Sequence, residues 1–362
     1  MARELTVRAL QGRAVSVPMK RALGTSAQTI REAPLLLLDL FTEEGVTGRA
    51  YLFCYVPSVA RALLDVVEGI SAQIRHDAVA PQDIAAKLAR QYRLVGVRGV
   101  VSMAMAGLDV ACWDALAIAA GMPLARFLGA APKPVPAYNS NGLGLIDPAG
   151  VGAEAAQLVD EGFGAIKLRL GRPALDADVQ AIRAAREATG ADVHLMVDFN
   201  QALDVTEALE RGRAIDQEGA YWIEEPIHHD DYQGYATLCR ELSTPVQLGE
   251  NFQGTRPMAA AIAARAGDFM MPDLERIGGV TGWMRAAALA DAAGIRISSH
   301  LFPEVSAHLL AASPTGHWLE YVDWAGPLLQ QPLVIRDGAA HVPATPGAGL
   351  LWDESAVARY RM

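Results

Sequence analysis

The sequence predicts an α/β protein, a (β/α) barrel of the modified TIM type with an N-terminal α+β capping domain. Three observations predict it. At 362 residues the chain exceeds the usual range of a single core. From Val135 onward, short aliphatic or β-branched runs alternate with amphipathic stretches of about ten to fifteen residues. Almost every one of those runs is broken by a polar side chain at its end.

Residues 1–130 read as the cap. LTVRALQGRAVSVPM and APLLLLDLFTEEGVTGRAYLF are strand-like, the second split by a Glu-Gly turn signal, and SVARALLDVVEGISAQI and VSMAMAGLDVACWDALAIAAG show the three-to-four spacing of packed helices. Residues 131–325 read as the barrel. Its strand candidates are VPAYNS, AIKLRL, VHLMVDF, YWIEEP, PVQLGE, FMMPD, IRISSH and HWLEY, separated by helical patterns such as DVQAIRAAREATG and VTEALERGRAIDQEG. Residues 326–362 are expected to return to the cap.

Half the residues are hydrophobic (51%) and only 20% are charged, which excludes disorder. A net charge of -10 without a Lys/Arg cluster argues against nucleic acid. Cys54, Cys112 and Cys239 are scattered without zinc or disulfide spacing and are expected as buried thiols. The amino terminus lacks an apolar signal region and no membrane-spanning apolar stretch is expected, so the reading is a soluble cytoplasmic protein with no membrane partner.

Polar groups end seven successive strands: Lys167 with Arg169, Asp198, Glu224, Glu250, Asp273, His300 and Glu320. A charged side chain inside a barrel costs several kcal/mol, on the order of 2–7, unless it is paired or bound to a metal. In a closed parallel barrel the strand ends converge on the face that carries active sites. Asp198, Glu224 and Glu250 end consecutive strands about 5 Å apart per step, and three clustered carboxylates call for a cation. All-oxygen donors favour Mg2+, with Mn2+ possible. The alternative is that Glu224 or Glu250 pairs with barrel lysines or caps a helix.

Asp273 and His300 end adjacent strands, where a carboxylate can accept the ring N–H and raise the basicity of the other nitrogen, making His300 a candidate general base. Lys167 and Arg169 are two apart and point into the barrel, placed to bind a substrate carboxylate or to pair with the acids. His228 and His229 are expected at the rim or in solvent.

These residues, with RAYLFCYVPS, VDFNQALDV, WIEEP, VQLGEN, MPDLERIGGVTGW and ISSHLFPEVSAHLLAASPTGHWLE, resemble the enolase superfamily and within it the mandelate racemase subgroup. That superfamily uses Lys or His bases with Mg2+. The resemblance implies that Asp198, Glu224 and Glu250 bind Mg2+ and that the Asp273–His300 dyad works on one face of the α-carbon of a small carboxylate substrate. It implies that Lys167 neutralises the substrate carboxylate, that Glu320 is an electrophilic acid, that Ser140 contacts the carboxylate and Asn200 the α-hydroxyl. Phe53 and Tyr55 resemble residues that close over an aromatic side chain, with Leu301 near the same pocket, and a homo-oligomer is implied. The subgroup pattern Lys-x-Lys is here Lys-Leu-Arg. Arginine stays protonated where a lysine can be tuned to act as a base. Two activities therefore follow: racemisation or epimerisation of an apolar or aromatic 2-hydroxy acid, or acid-sugar dehydration with His300 as sole base. A non-catalytic, metal-dependent carboxylate-binding protein is the third reading. Specificity is expected in cap loops such as Lys20 to Ile30.

Overall fold

The computed structural model describes residues 4–26 and 28–362; Met1, Ala2 and Arg3 of the expected cap, and Ala27 in the loop from Lys20 to Ile30, lie outside the described residues. Strands β1 (Val7–Gly24), β2 (Thr29–Thr42) and β3 (Thr47–Phe53) form an antiparallel sheet in that order. Helices α1 (Pro57–Ile74), α2 (Pro81–Gln91), α3 (Val100–Ala119) and α4 (Leu124–Phe127) follow. The middle strand β2 does not alternate, because α1 and α3 pack on the face of Leu36 and Leu38 while Trp352 of the C-terminal segment meets Asp39 on the other; Ala33 through Leu40 are buried without a break. Helix α3 has the length and hydropathy of a membrane span, contrary to the expectation that no such stretch exists. It is a core helix, buried against β2, β3 and a barrel helix. Its contact with β3 is so close that a Cβ on Gly48 would sit 2.0 Å from the Ala111 carbonyl oxygen. Gly48→Ala is therefore expected to cost about 1–3 kcal/mol or more, read as a lower urea midpoint; an unchanged midpoint would refute this packing.

The barrel comprises β4 (Val135–Asn139), β5 (Ala165–Arg169), β6 (His194–Asp198), β7 (Trp222–Glu224), β8 (Val246–Leu248), β9 (Phe269–Met270), β10 (Arg296–Ile297) and β11 (Leu319–Tyr321), one for each strand the sequence marked. Helices α5 (Pro148–Asp160), α6 (Leu175–Thr189), α7 (Val205–Ile215), α8 (Tyr232–Glu241), α9 (Thr255–Ala264), α10 (Leu274–Ile277) with α11 (Gly279–Ala293), and α12 (Pro303–Ala311) fill the successive connections. The strands from β4 to β10 pair in parallel and in order. Closure comes from β11 on β4 and from the Ile297–Gly316 bridge, with His317 N donating to Ile297 O at 2.9 Å and Ser299 N to Trp318 O at 3.0 Å.

No helix follows β11 directly. A hairpin of β12 (Val334–Arg336) and β13 (Ala339–His341) pairs antiparallel with the start of β4, and the chain then runs to the cap, where Trp352 Nε1 donates to Asp39 at 2.9 Å and α13 (Glu354–Arg359) precedes a bridge from Arg361 to Val15. The barrel interior is plugged at its N-terminal end by rings: Tyr138 meets Trp222 edge to face at 5.4 Å, and Tyr221, Phe269 and Trp318 pack beneath. Chemistry is thereby confined to the C-terminal mouth.

Candidate active site

Alternation along β5 turns Lys167 and Arg169 inward, and register sets Arg169 beside Asp198 and Asp198 beside Glu224. After β8 the chain turns at Gly249, φ +133, where a Cβ would meet the Phe252 ring at 2.7 Å and Met271 N at 3.1 Å. Only glycine makes that turn without strain, and it presents Glu250 to the mouth. An isolated bridge pairs Asp273 with His300, and Glu320 on β11 lies opposite Tyr138 on β4.

Lys167, 1% exposed, is the hub: its Nζ lies 2.5 Å from Glu224 Oε1, 2.7 Å from Glu320 Oε1 and 3.3 Å from Asp198 Oδ2, over the Tyr138 ring at 5.7 Å. Burial alone would lower its pKa, but the three carboxylates raise it, so the ammonium is held charged. His300 Nδ1 is 2.6 Å from Asp273 Oδ2, and its Nε2 is 3.1 Å from Glu250 Oε2 and 3.9 Å from Glu320 Oε2. Burial again opposes charge, and Glu250, Glu320 and Asp273 overcome it, raising the imidazole pKa well above its ordinary value. Glu320 thus spans the two cations. Burial would raise its pKa, yet Lys167 and His300 pull it down to about 2. An acid role for Glu320, which the resemblance implied, requires a substrate carboxylate to draw Lys167 away.

The expected acid triad is arranged around two cations. Asp198 and Glu224 close on Lys167, Glu250 on His300, and among the described residues no three His, Cys, Asp or Glu side chains already form a metal cage. The cause is electrostatic: buried carboxylates take the nearest positive charge. Burial, Asp198 and Glu320 push Glu224 upward against Lys167, and burial with Glu250 does the same to Glu225. The donor set of Asp198, Glu224 and Glu250 is entirely carboxylate oxygen and carries three negative charges against the two of Lys167 and His300, which fits a hard divalent ion.

Lys167, Arg169, Asp198, Glu250, His300 and Glu320 line one cavity of 250 Å³. Its roof is apolar: Leu23, Ile30, Phe53, Tyr55, Leu301 and Trp324, with Phe53 centred 4.4 Å from the Tyr55 ring and 4.8 Å from Trp324. A larger hollow, 620 Å³ between β1 and α1, has Glu68 and Arg75 as the charged groups among its described lining residues, so size does not locate the chemistry. Seven of the ten described non-glycine residues with positive φ (Tyr55, Leu143, Asn200, Gln201, Glu225, Leu301 and Phe302) lie at the mouth, each held at a cost of about 1–3 kcal/mol.

Two family models match the chain: "Mandelate racemase / muconate lactonizing enzyme, N-terminal domain" over residues 7–129 and "Enolase C-terminal domain-like" over residues 150–356. The chain belongs to the enolase superfamily. It is similar to an enolase from the alphaproteobacterium bal199 with bound magnesium (47% identity, TM-score 0.97, covering 99% of this chain and 100% of that one). It is also similar to an enolase from Bradyrhizobium complexed with magnesium and mandelic acid (41%, TM-score 0.95, 100% of both chains). Among curated relatives, the L-talarate/galactarate dehydratase of Salmonella typhimurium is 37% identical over 72% of this chain and 66% of its own length. Superfamily relatives are isomerases, epimerases and dehydratases, and this chain is an enzyme of the isomerase or lyase kind.

Not every expected residue of this superfamily member faces the cavity. Ser140 is fully buried behind it, donating to Glu320 Oε1 at 2.7 Å and accepting from Arg169 at 2.8 Å; Glu224 likewise lies behind Lys167. Asn200 lines the cavity, with Nδ2 on Asp198 at 3.1 Å and a buried Oδ1 lacking a partner. Arg169 is pinned by the carbonyls of Ser140 at 2.8 Å and Gly142 at 3.1 Å. His228 is exposed and His229 partly so, while Cys54 and Cys112 are buried and Cys239 only half so. Sequence reasoning missed Trp324 and Arg276, which also line the cavity. Arg276 had a signal, standing one helical turn beyond a strand-end Asp; Trp324 lies in a loop with no periodic cue.

Proposed function

We propose that the protein abstracts the α-proton of a small 2-hydroxy carboxylate with an apolar or aromatic side chain, with His300 as the base. One observation carries this reading: the Asp273-backed imidazole and the Lys167 ammonium flank the Glu320 carboxylate on one cavity, beneath an aromatic roof. Asp198, Glu224 and Glu250 would hold Mg2+, or Mn2+. Bound there, the ion supplies the charge that offsets Glu250 and stabilises the substrate carboxylate as its α-proton leaves. Lys167 would bind the substrate carboxylate, Asp273 fixes the tautomer of His300 so that Nε2 takes the proton, and Phe53, Tyr55 and Trp324 exclude water from the carbanion. The mandelic acid complex of the Bradyrhizobium enolase supports an aromatic 2-hydroxy acid.

Arg169 favours a second reading. A guanidinium tied to two carbonyls serves poorly as a base on the opposite face, and dehydration needs only one: His300 takes the α-proton and returns it to the departing β-hydroxyl, which leaves as water. The relative that dehydrates talarate and galactarate is in keeping with it.

The test is α-hydrogen exchange in D2O with Mg2+, followed by NMR, using each hand of mandelate and a panel of acid sugars. Exchange with inversion supports the first reading, exchange of one hand with retention supports a single base, and loss of water supports dehydration. Metal-dependent binding without exchange of any acid would sink both and leave a binding protein. Arg169→Lys is expected to raise racemisation without loss of metal binding; an unchanged or lower rate would clear Arg169 as the limiting feature.

A further inference from the structure

We propose that Arg276 is a positioning residue through which the aromatic roof sets the geometry of the Asp273–His300 dyad, a role that rests on the reading of His300 as the base. The single turn of α10 joins the two. Asp273 uses both carboxylate oxygens: Oδ1 accepts from Glu275 N at 2.8 Å and Arg276 N at 3.0 Å, capping α10, while Oδ2 holds His300. A rotation of α10 therefore turns the carboxylate that orients the imidazole.

The side chains of that turn reach the cap. Glu275 Oε2 accepts from the backbone N of Phe53 at 3.1 Å, and the Arg276 guanidinium lies over the Tyr55 ring at 5.1 Å, donates to the Tyr55 hydroxyl, and donates to the backbone oxygen of Glu250 at 2.8 Å. Arg276 is also the partition between the active-site cavity and a second one of 370 Å³, whose far wall includes Ser102, Gln253 and Arg285. The guanidinium, 13% exposed, is anchored there by the Tyr55 ring and hydroxyl and by the backbone oxygen of Glu250. Tyr55 itself sits at φ 60, a conformation its side chain rarely adopts, so its place depends on such contacts. A substrate side chain that seats Tyr55 thereby fixes Arg276, α10 and the carboxylate behind His300.

The readout is the His300 Nδ1 proton in 15N-histidine-labelled protein, identified by its loss in His300→Asn and measured with Mg2+ and with and without mandelate. Arg276→Met is expected to shift or broaden that resonance, abolish its response to mandelate, and lower kcat for α-exchange on the order of ten- to a hundredfold, as small misplacements of catalytic groups do, with a smaller change in KM. Arg276→Lys, which keeps the charge but not the ring stacking and fork geometry, should fall between, and Tyr55→Phe should reproduce part of the resonance shift. If Arg276→Met does not fold, these two variants carry the test. An unmoved resonance, or a raised KM with unchanged kcat, would overturn the proposal. A wild-type protein that exchanges no mandelate counts against the proposed function instead, and the resonance still decides the role of Arg276.

Discussion

His300→Asn is expected to lower α-proton exchange by about 10²–10⁴-fold, the usual contribution of a positioned acid or base, with Mg2+ binding retained. Among the described residues that line the cavity the imidazole is the one histidine, backed by a carboxylate at 2.6 Å, and a cation on Glu250 would relieve it of one of the charges that raise its pKa. Asparagine keeps a polar atom near Asp273 and removes the nitrogen that takes the proton. If Arg169 forbids a second base, only the hand served by His300 exchanges in the wild type and the variant exchanges neither; if a second base acts, the other hand keeps its exchange. Exchange of both hands at the wild-type rate would remove His300 from the chemistry.

Lys167→Met should have the largest effect on stability. Lys167 is the shared partner of Asp198, Glu224 and Glu320, all fully buried. Removing one partner of a buried ion pair typically costs about 3–5 kcal/mol, because the remaining charge has neither water nor counter-ion. The melting temperature should fall accordingly and become strongly Mg2+-dependent, since the proposed acid site then relies on the ion for its positive charge. Exchange activity should be lost at saturating Mg2+, because the ammonium that would bind the substrate carboxylate is gone. A variant that melts like the wild type in the presence of EDTA would contradict the role of Lys167 as counter-ion of the cluster.

The strand ends were legible because position along a strand is local information. An acid closing VHLMVDF or a histidine closing IRISSH must stand at the mouth once the sheet closes, and Asp273 and His300 meet there through neighbouring strands. The cap roof was legible only in part. Phe53 ends a strand, and Tyr55 the bend after it, whose destination no local pattern reveals, and Trp324 comes from the loop beyond β11. Arg276 and Glu275 carry weak cues, because their partners in the cap are more than two hundred residues away in sequence, the Phe53–Glu275 bond spanning 222 positions.

The sequence by itself determined the barrel, the order of its strands and the chemical types gathered at its mouth, since apolar periodicity and strand-end position depend on near neighbours along the chain. Only the tertiary structure decided that Asp198 and Glu224 face Lys167 while Glu250 faces His300, that Glu320 is held ionised between the two cations, and that Ser140 stands behind the cavity. The physical reason is that charge pairing in a buried site depends on distances of a few ångströms between residues far apart in sequence, and those distances exist only after the cap has packed on the barrel.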